Sequence, residues 1–243
     1  MPEVKNCIQD HFQKLNINVH KFNLLNVGLI IIASIISSLA LLNNDYQTVI
    51  ASKIIGLAII PFISLCIMLI AGTSGEILKS GKSCLSFIIV CVGVAALIGF
   101  INEYTQWQPK PSKEMLSGAY FKYKDIWQEL AMSFIAGIGI YLAILKNSTI
   151  ALIGLILAIS ITPPLCNAGL FWGMHLQNYL SSILGFNNTS NSIGNSISNS
   201  NNANDIDKRL YLDYGNHNFV IFASNILGMF LGFMLSFLFY CVF

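Results

Sequence analysis

TIALIGLILAISITPPLCNAGLFWG, residues 149–173, decides the fold class. It carries no charge, and it is as long as the roughly 20 apolar residues that cross the hydrocarbon core of a bilayer. A helix that is apolar all round belongs in lipid or a deep core, not on the surface of a soluble domain. Pro163 and Pro164 lack a backbone donor, so the carbonyls of Ile159 and Ser160 lose their helical partners. In lipid such carbonyls need another partner, so this backbone is expected to face protein or a wet cavity. The chain reads as a polytopic membrane protein.

Composition agrees. The 243 residues are 55% hydrophobic and 10% charged, with a mean hydropathy of +0.67. Ordinary soluble domains carry about 25% charged residues. A net charge of +2 gives no reason to expect nucleic acid as a partner.

Five further apolar runs accompany the first, so the six segments are 24–42, 49–72, 84–102, 126–145, 149–173 and 218–242. Each is long enough to span at 1.5 Å per residue. The expected fold is all-α, a transmembrane helical bundle of about six spans, one of them broken at the Pro-Pro pair. Residues 1–23 form a short amphipathic segment, with Val4, Ile8, Phe12 and Leu15 at helical spacing. Residues 24–173 hold spans one to five, 174–216 an extramembrane loop, and 217–243 the last span. Within the loop, NNTSNSIGNSISNSNNAN (187–204) has nothing to bury and reads as a disordered insert. Asn187 and Asn188 open overlapping glycosylation sequons there, usable where the loop is lumenal.

Basic residues do not orient the chain. With the N-terminus inside, Lys5, Lys14, Lys21, Lys79, Lys82 and Lys146 face inward. Lys110, Lys113, Lys122, Lys124, Lys208 and Arg209 face outward, and the positive-inside rule ties. The lysines flanking the first span favour a cytoplasmic N-terminus. The first apolar run is a full span without a small-residue cleavage site, so no cleavable signal is expected. The membrane concerned is not indicated.

The order of the segments resembles a family of mostly bacterial and archaeal membrane proteins, domain of unknown function 389, also called the uncharacterised hydrophobic domain. ALIGLILAISITPPLCNAGL (151–170) follows the family's Ala-Leu-x-Gly-x-x-x-Ala-x-x-x-x-Pro-Pro-Leu pattern. ELAMSFIAGIG (129–139) is similar to its acidic residue followed by Ala-x-x-Gly-x-x-Gly. VIASKIIGLAIIPFI resembles its second-span segment, and Ser224-Asn225 stands where Thr-Asn is common. The resemblance covers about 24–173 and 217–242. Leu57 replaces a usual proline, Lys53 an apolar residue, and Gly118 a basic or polar one. The resemblance implies a divergent member that carries a foreign Asn-rich insert and lacks the soluble domain of many relatives. It names no activity.

No G-x-S-x-G, H-E-x-x-H, P-loop or G-x-G-x-x-G motif opens an enzyme reading, so none is expected. The six cysteines share no C-x-x-C spacing and read as small buried hydrophobes; no metal and no cofactor is expected. Polar residues at membrane depth remain: Lys53, Glu129, Pro163, Pro164, Asn167 and Asn225, all in the half of the membrane where spans two, four and six begin. Intramembrane polar groups beside a broken helix mark solute sites in transporters. Lys53 and Glu129, at similar depth, form a candidate pair. Shallow charges also snorkel, and a kink also shapes packing. Two roles therefore stand open. One is a transporter- or channel-like protein moving a small solute near the broken fifth span. The other is a structural or assembly protein without substrate, toward which the apolar first and third spans and the absence of a mid-depth carboxylate tilt the reading. The expected partner is the lipid bilayer, and a homo-oligomer stays open.

Overall fold

The computed structural model describes residues 24–55, 59–71, 74–108, 110–119, 123–146, 148–159, 161–184 and 200–242. Among these the chain is all helical: α1 (Leu24–Leu42), α2 (Tyr46–Ile55), α3 (Ile59–Ala71), α4 (Ser74–Thr105), α5 (Lys113–Ala119), α6 (Tyr123–Leu145), α7 (Thr149–Ala158), α8 (Thr162–Ile183) and α9 (Ser200–Val242). The N-terminal segment 1–23 and residues 185–199, with Asn187 and Asn188, lie outside the described residues.

Three helices are long and apolar enough to cross a membrane, within Ile77–Thr105, Ile126–Leu145 and Leu210–Tyr240. α1 has the bounds of the first apolar run, Leu24–Leu42. The second apolar run is shared by α2 and α3, of 10 and 13 residues. The fifth is shared by α7 and α8. Ile159 caps α7 in an extended conformation, φ −87° and ψ 121°. α8 then starts at Thr162 with a proline in its first turn, where a missing N–H costs least. The last helix corrects the expectation in the other direction. It begins at Ser200, so residues 200–204 of the expected insert are helical. Extending an apolar helix outward costs little once its nucleus exists.

The tight turns are set by capping. Asn44 adopts φ 58°, a left-handed conformation that Asn tolerates. Asp45 then accepts the N–H groups of Gln47 (3.1 Å) and Thr48 (3.2 Å). Thr48's hydroxyl and backbone together hold the Asp45 carboxyl below its usual range. Ser148 caps α7 through the N–H of Ala151, at 3.4 Å.

The most extensive packing joins α6 to α9 and α4 to α8, with α9 also against α8. Small residues permit it. A Cβ on Gly137 would strike the Met229 carbonyl, and one on Gly173 the Ala96 carbonyl. Aromatic rings fill the core between, Phe62 edge-on to Phe87 at 5.7 Å and Tyr141 edge-on to Phe233 at 5.4 Å. The short α5, in a loop that carries no assigned element in the sequence reading, inserts the fully buried Met115 into one end of the bundle. Ser112 hydrogen-bonds the Leu41 carbonyl there, and Asn44 Oδ1 accepts from Glu114 N–H at 3.1 Å.

Candidate functional site

The start of α8 is a buried polar position inside an apolar bundle. Thr162, Pro163, Leu165, Cys166 and Asn167 are all buried, and Pro164 is half-buried. Asn167 is 3% exposed. Its Nδ2 donates to the Met115 carbonyl at 2.9 Å and to Asn218 Oδ1 at 3.0 Å. Asn218 in turn donates to the Tyr214 carbonyl at 2.9 Å. Both contacts of the Asn167 amide nitrogen are acceptors, so the network fixes which way the amide points. Asn167 Oδ1 is left without a partner. An unpaired buried acceptor costs about 1–3 kcal/mol and calls for an explanation.

Two more oxygens share that condition. Ser37 Oγ and Ser38 Oγ, on α1, are buried without a hydrogen-bond partner. They lie beside the Cys166 sulfur. Their neighbour Ser34 is satisfied, donating to the Ile30 carbonyl at 2.7 Å and reaching Cys91 Sγ at 3.2 Å.

Asn225 takes part in a different contact. It is fully buried on α9, and Ser133 of α6 donates to its Oδ1 at 2.9 Å. Asn218 and Asn225 are seven residues apart on one helix, about 10 Å along its axis, so Asn167 and Asn225 belong to two successive polar contacts rather than one pocket. Lys53 and Glu129 form a third group. Lys53 sits in the last turn of α2, where a cation complements the helix dipole, and both residues are half-buried. Glu129 lies within electrostatic range of Lys53, but α2 and α6 do not pack extensively on each other among the described residues. At the end of α4, Asn178 donates to Glu103 Oε1 at 3.1 Å, and Asn102 closes the chain by accepting Gln108 N–H at 3.0 Å.

Sequence reasoning missed Asn218, Met115 and the pair Ser64–Ser80, whose hydroxyls meet at 2.8 Å. Asn218 was findable, because it shares a helical face with Asn225 seven residues on. The carbonyl of Met115 carried no signal. Cys66, Cys84, Cys91 and Cys166 are free and buried. Among the described residues no group of three or more His, Cys, Asp or Glu side chains gathers as for a metal.

No curated protein and no solved structure matches the chain. One family profile does, that of the Domain of unknown function (DUF389), over residues 54–231. The match begins at the last two residues of α2, just past Lys53, and takes in α3, the α7–α8 break, Glu129, Asn167 and Asn225. It spans most of the sequence, and the chain belongs to the DUF389 family.

Proposed function

We propose that the chain is a six-span integral membrane protein that binds a small solute near its broken fifth span and passes it across the bilayer. α1, α2 with α3, α4, α6, α7 with α8, and α9 make the six passes. Both termini then lie on one side, for which the N-terminal lysines favour the cytoplasm, and the α8–α9 connection with its sequons lies opposite.

One observation carries this reading. α7 gives way to α8 through Ile159, which is extended and buried, and α7 packs on α2. Non-helical backbone at membrane depth is tolerated where protein or a wet cavity surrounds it, and broken helices mark solute sites in transporters. The unpartnered Asn167 Oδ1 supports it. No covalent step is assigned to the protein.

The second reading, a structural or assembly role without substrate, is favoured by the close backbone contacts at Gly137 and Gly173. Flux from liposomes containing the purified full chain separates the two. Release of a small polar solute above that of empty liposomes supports passage. Tightness to a panel of neutral, cationic and anionic solutes leaves the structural reading.

A further inference from the structure

The two halves of the bundle repeat each other in register. An offset of 103 residues carries the start of α2 (Tyr46) onto the start of α7 (Thr149), and the end of α1 (Leu42) onto the end of α6 (Leu145). The intervening turns match bond for bond. Asn43 N–H donates to the Leu39 carbonyl as Lys146 N–H does to Leu142, and Asp45 N–H donates to Ala40 as Ser148 N–H does to Ala143, both at 2.9 Å. Asp45 and Ser148 then cap the next helix through equivalent N–H groups, those of Thr48 and Ala151. The sequence follows the same offset. IASIISSLALLNN (32–44) and IAGIGIYLAILKN (135–147) share Ile-Ala-x-Ile-x-x-x-Leu-Ala-x-Leu-x-Asn, and Pro61 falls on Pro164.

Tertiary contacts repeat as well. α9 follows the Asn-rich insert, and an offset of 138 relates it to α4. The hydroxyl pair Ser64–Ser80 joins α3 to α4, and the amide pair Asn167–Asn218 joins α8 to α9 at the equivalent positions. Ser34 meets Cys91 where α1 crosses α4. The equivalents, Gly137 and Met229, touch where α6 crosses α9. Packing of α1 on α2, α1 on α4, α3 on α4 and α4 on α8 has its counterpart in α6 on α7, α6 on α9, α8 on α9 and α9 on α3. α2 packs on α7, its own equivalent, as elements on a two-fold axis do.

The equivalent contacts are unequal in extent, α4 on α8 being far more extensive than α9 on α3, and some have no counterpart. α8 packs on α1 and on α2, while α3 makes no comparable contact with α6 or α7 among the described residues. We infer that the chain is two inverted three-span repeats that exchange conformations, so that α3 closes on α6 and α7 when α8 releases α1 and α2, turning the path between the two repeats from one face of the membrane to the other. Three passes per repeat set the second repeat upside down in the bilayer. Two like halves with unlike packing therefore have a second arrangement of similar energy, in which their roles are swapped. This rests on the six-span reading proposed above, and it adds a mechanism to it.

Cross-linking tests it without a solute. In the full chain with every cysteine but Cys166 replaced, Ser37→Cys lies beside Cys166 across α1 and α8 and should cross-link on oxidation in membranes. The swapped positions are Ile63 and Ile140, on α3 and α6. Ile63→Cys with Ile140→Cys, in a fully replaced background, should cross-link too. With all four present, forming either bond should lower the yield of the other at least fivefold. Failure of the second pair, or both bonds in one molecule, overturns the exchange. Single cysteines at the equivalent exposed turn positions Asn43 and Lys146, which burden packing least, should be labelled by an impermeant maleimide from opposite faces; labelling from one face overturns the inverted repeat. If both pairs cross-link and liposomes stay tight to every solute, the repeat stands and the passage of solute falls.

Discussion

Ser133 donates a 2.9 Å hydrogen bond to Asn225 Oδ1 where α6 crosses α9, with both side chains buried. The bond lies one turn from Gly137, whose missing Cβ lets the two backbones touch at Met229. Polar bonds between helices in a membrane contribute about 0.6 kcal/mol on average and about 1.7 at most. Ser133→Ala should therefore lower resistance to unfolding in mild detergent by an amount in that range. A loss several times larger would mean that Ser133 does more than hold Asn225.

Gly137→Leu should do more damage than Ser133→Ala at the same crossing. The new side chain meets a carbonyl rather than the end of a flexible side chain, so the helices must part. Overfilled cores lose about 1–3 kcal/mol. Parting also breaks the Ser133–Asn225 bond, so the double variant should be little worse than Gly137→Leu alone. Full additivity of the two losses in detergent unfolding would show that the helices stay together.

Lys53 and Glu129 interact through space rather than as a closed pair. Glu129 is in electrostatic range of Lys53, yet their helices do not pack extensively on each other among the described residues. A double-mutant cycle with Lys53→Met and Glu129→Gln should give a coupling below about 1 kcal/mol, the range of exposed ion pairs, and raised salt should shrink it. Coupling of about 3 kcal/mol or more, the cost of stranding a buried charge, would indicate a tight pair in the membrane.

How far the sequence could be read follows from which residues carry distinct signals. Long apolar runs announced α4, α6 and the apolar part of α9, because lipid tolerates little else. Pro163 and Pro164 sit in the first turn of α8, where proline is tolerated. Asn167 and Asn225 stood out as polar residues among apolar ones, whereas the Met115 carbonyl and the ordinary Ser64 and Ser80 did not. The 103-residue repeat was present in the letters but hidden. Ile, Leu, Val and Ala exchange freely in lipid, so few identities survive. Helix boundaries and turn hydrogen bonds supplied the register that composition had blurred.

The Asp45 cap should respond to pH. Its folded carboxyl is held below the ordinary range by the Thr48 hydroxyl and backbone and by Gln47 N–H. A depressed folded pKa means stability present above the unfolded value, near 3.8, and lost as pH falls through the folded value. The turn should thus be unaffected between neutral pH and about 5 and loosen at stronger acidity. Asp45→Ala should remove that acid dependence and lower stability at neutral pH. Thermal unfolding of both forms across the acid range measures the difference, and parallel curves would show that the cap contributes nothing.

The last prediction concerns Asn167 and Asn218. Asn167 supplies both its amide hydrogens, one to Met115 and one to Asn218. Asn167→Leu strands the Asn218 Oδ1 acceptor, at about 1–3 kcal/mol, and removes the second donor to the Met115 carbonyl, so it should be the most harmful single change in this part of the bundle. Asn218→Leu should cost less, because Asn167 keeps its bond to Met115. The first repeat shows what a smaller pair looks like at the same place, two serines sharing one hydrogen bond at 2.8 Å. Asn167→Ser with Asn218→Ser rebuilds that pair in the second repeat, with less polar surface to satisfy and no orphan amide oxygen. The double serine variant should therefore unfold in detergent at a temperature nearer the parent chain than Asn167→Leu does. Should it prove as unstable as Asn167→Leu, the two crossings are not interchangeable, and their shared place in the repeats does not extend to the bonds that hold them.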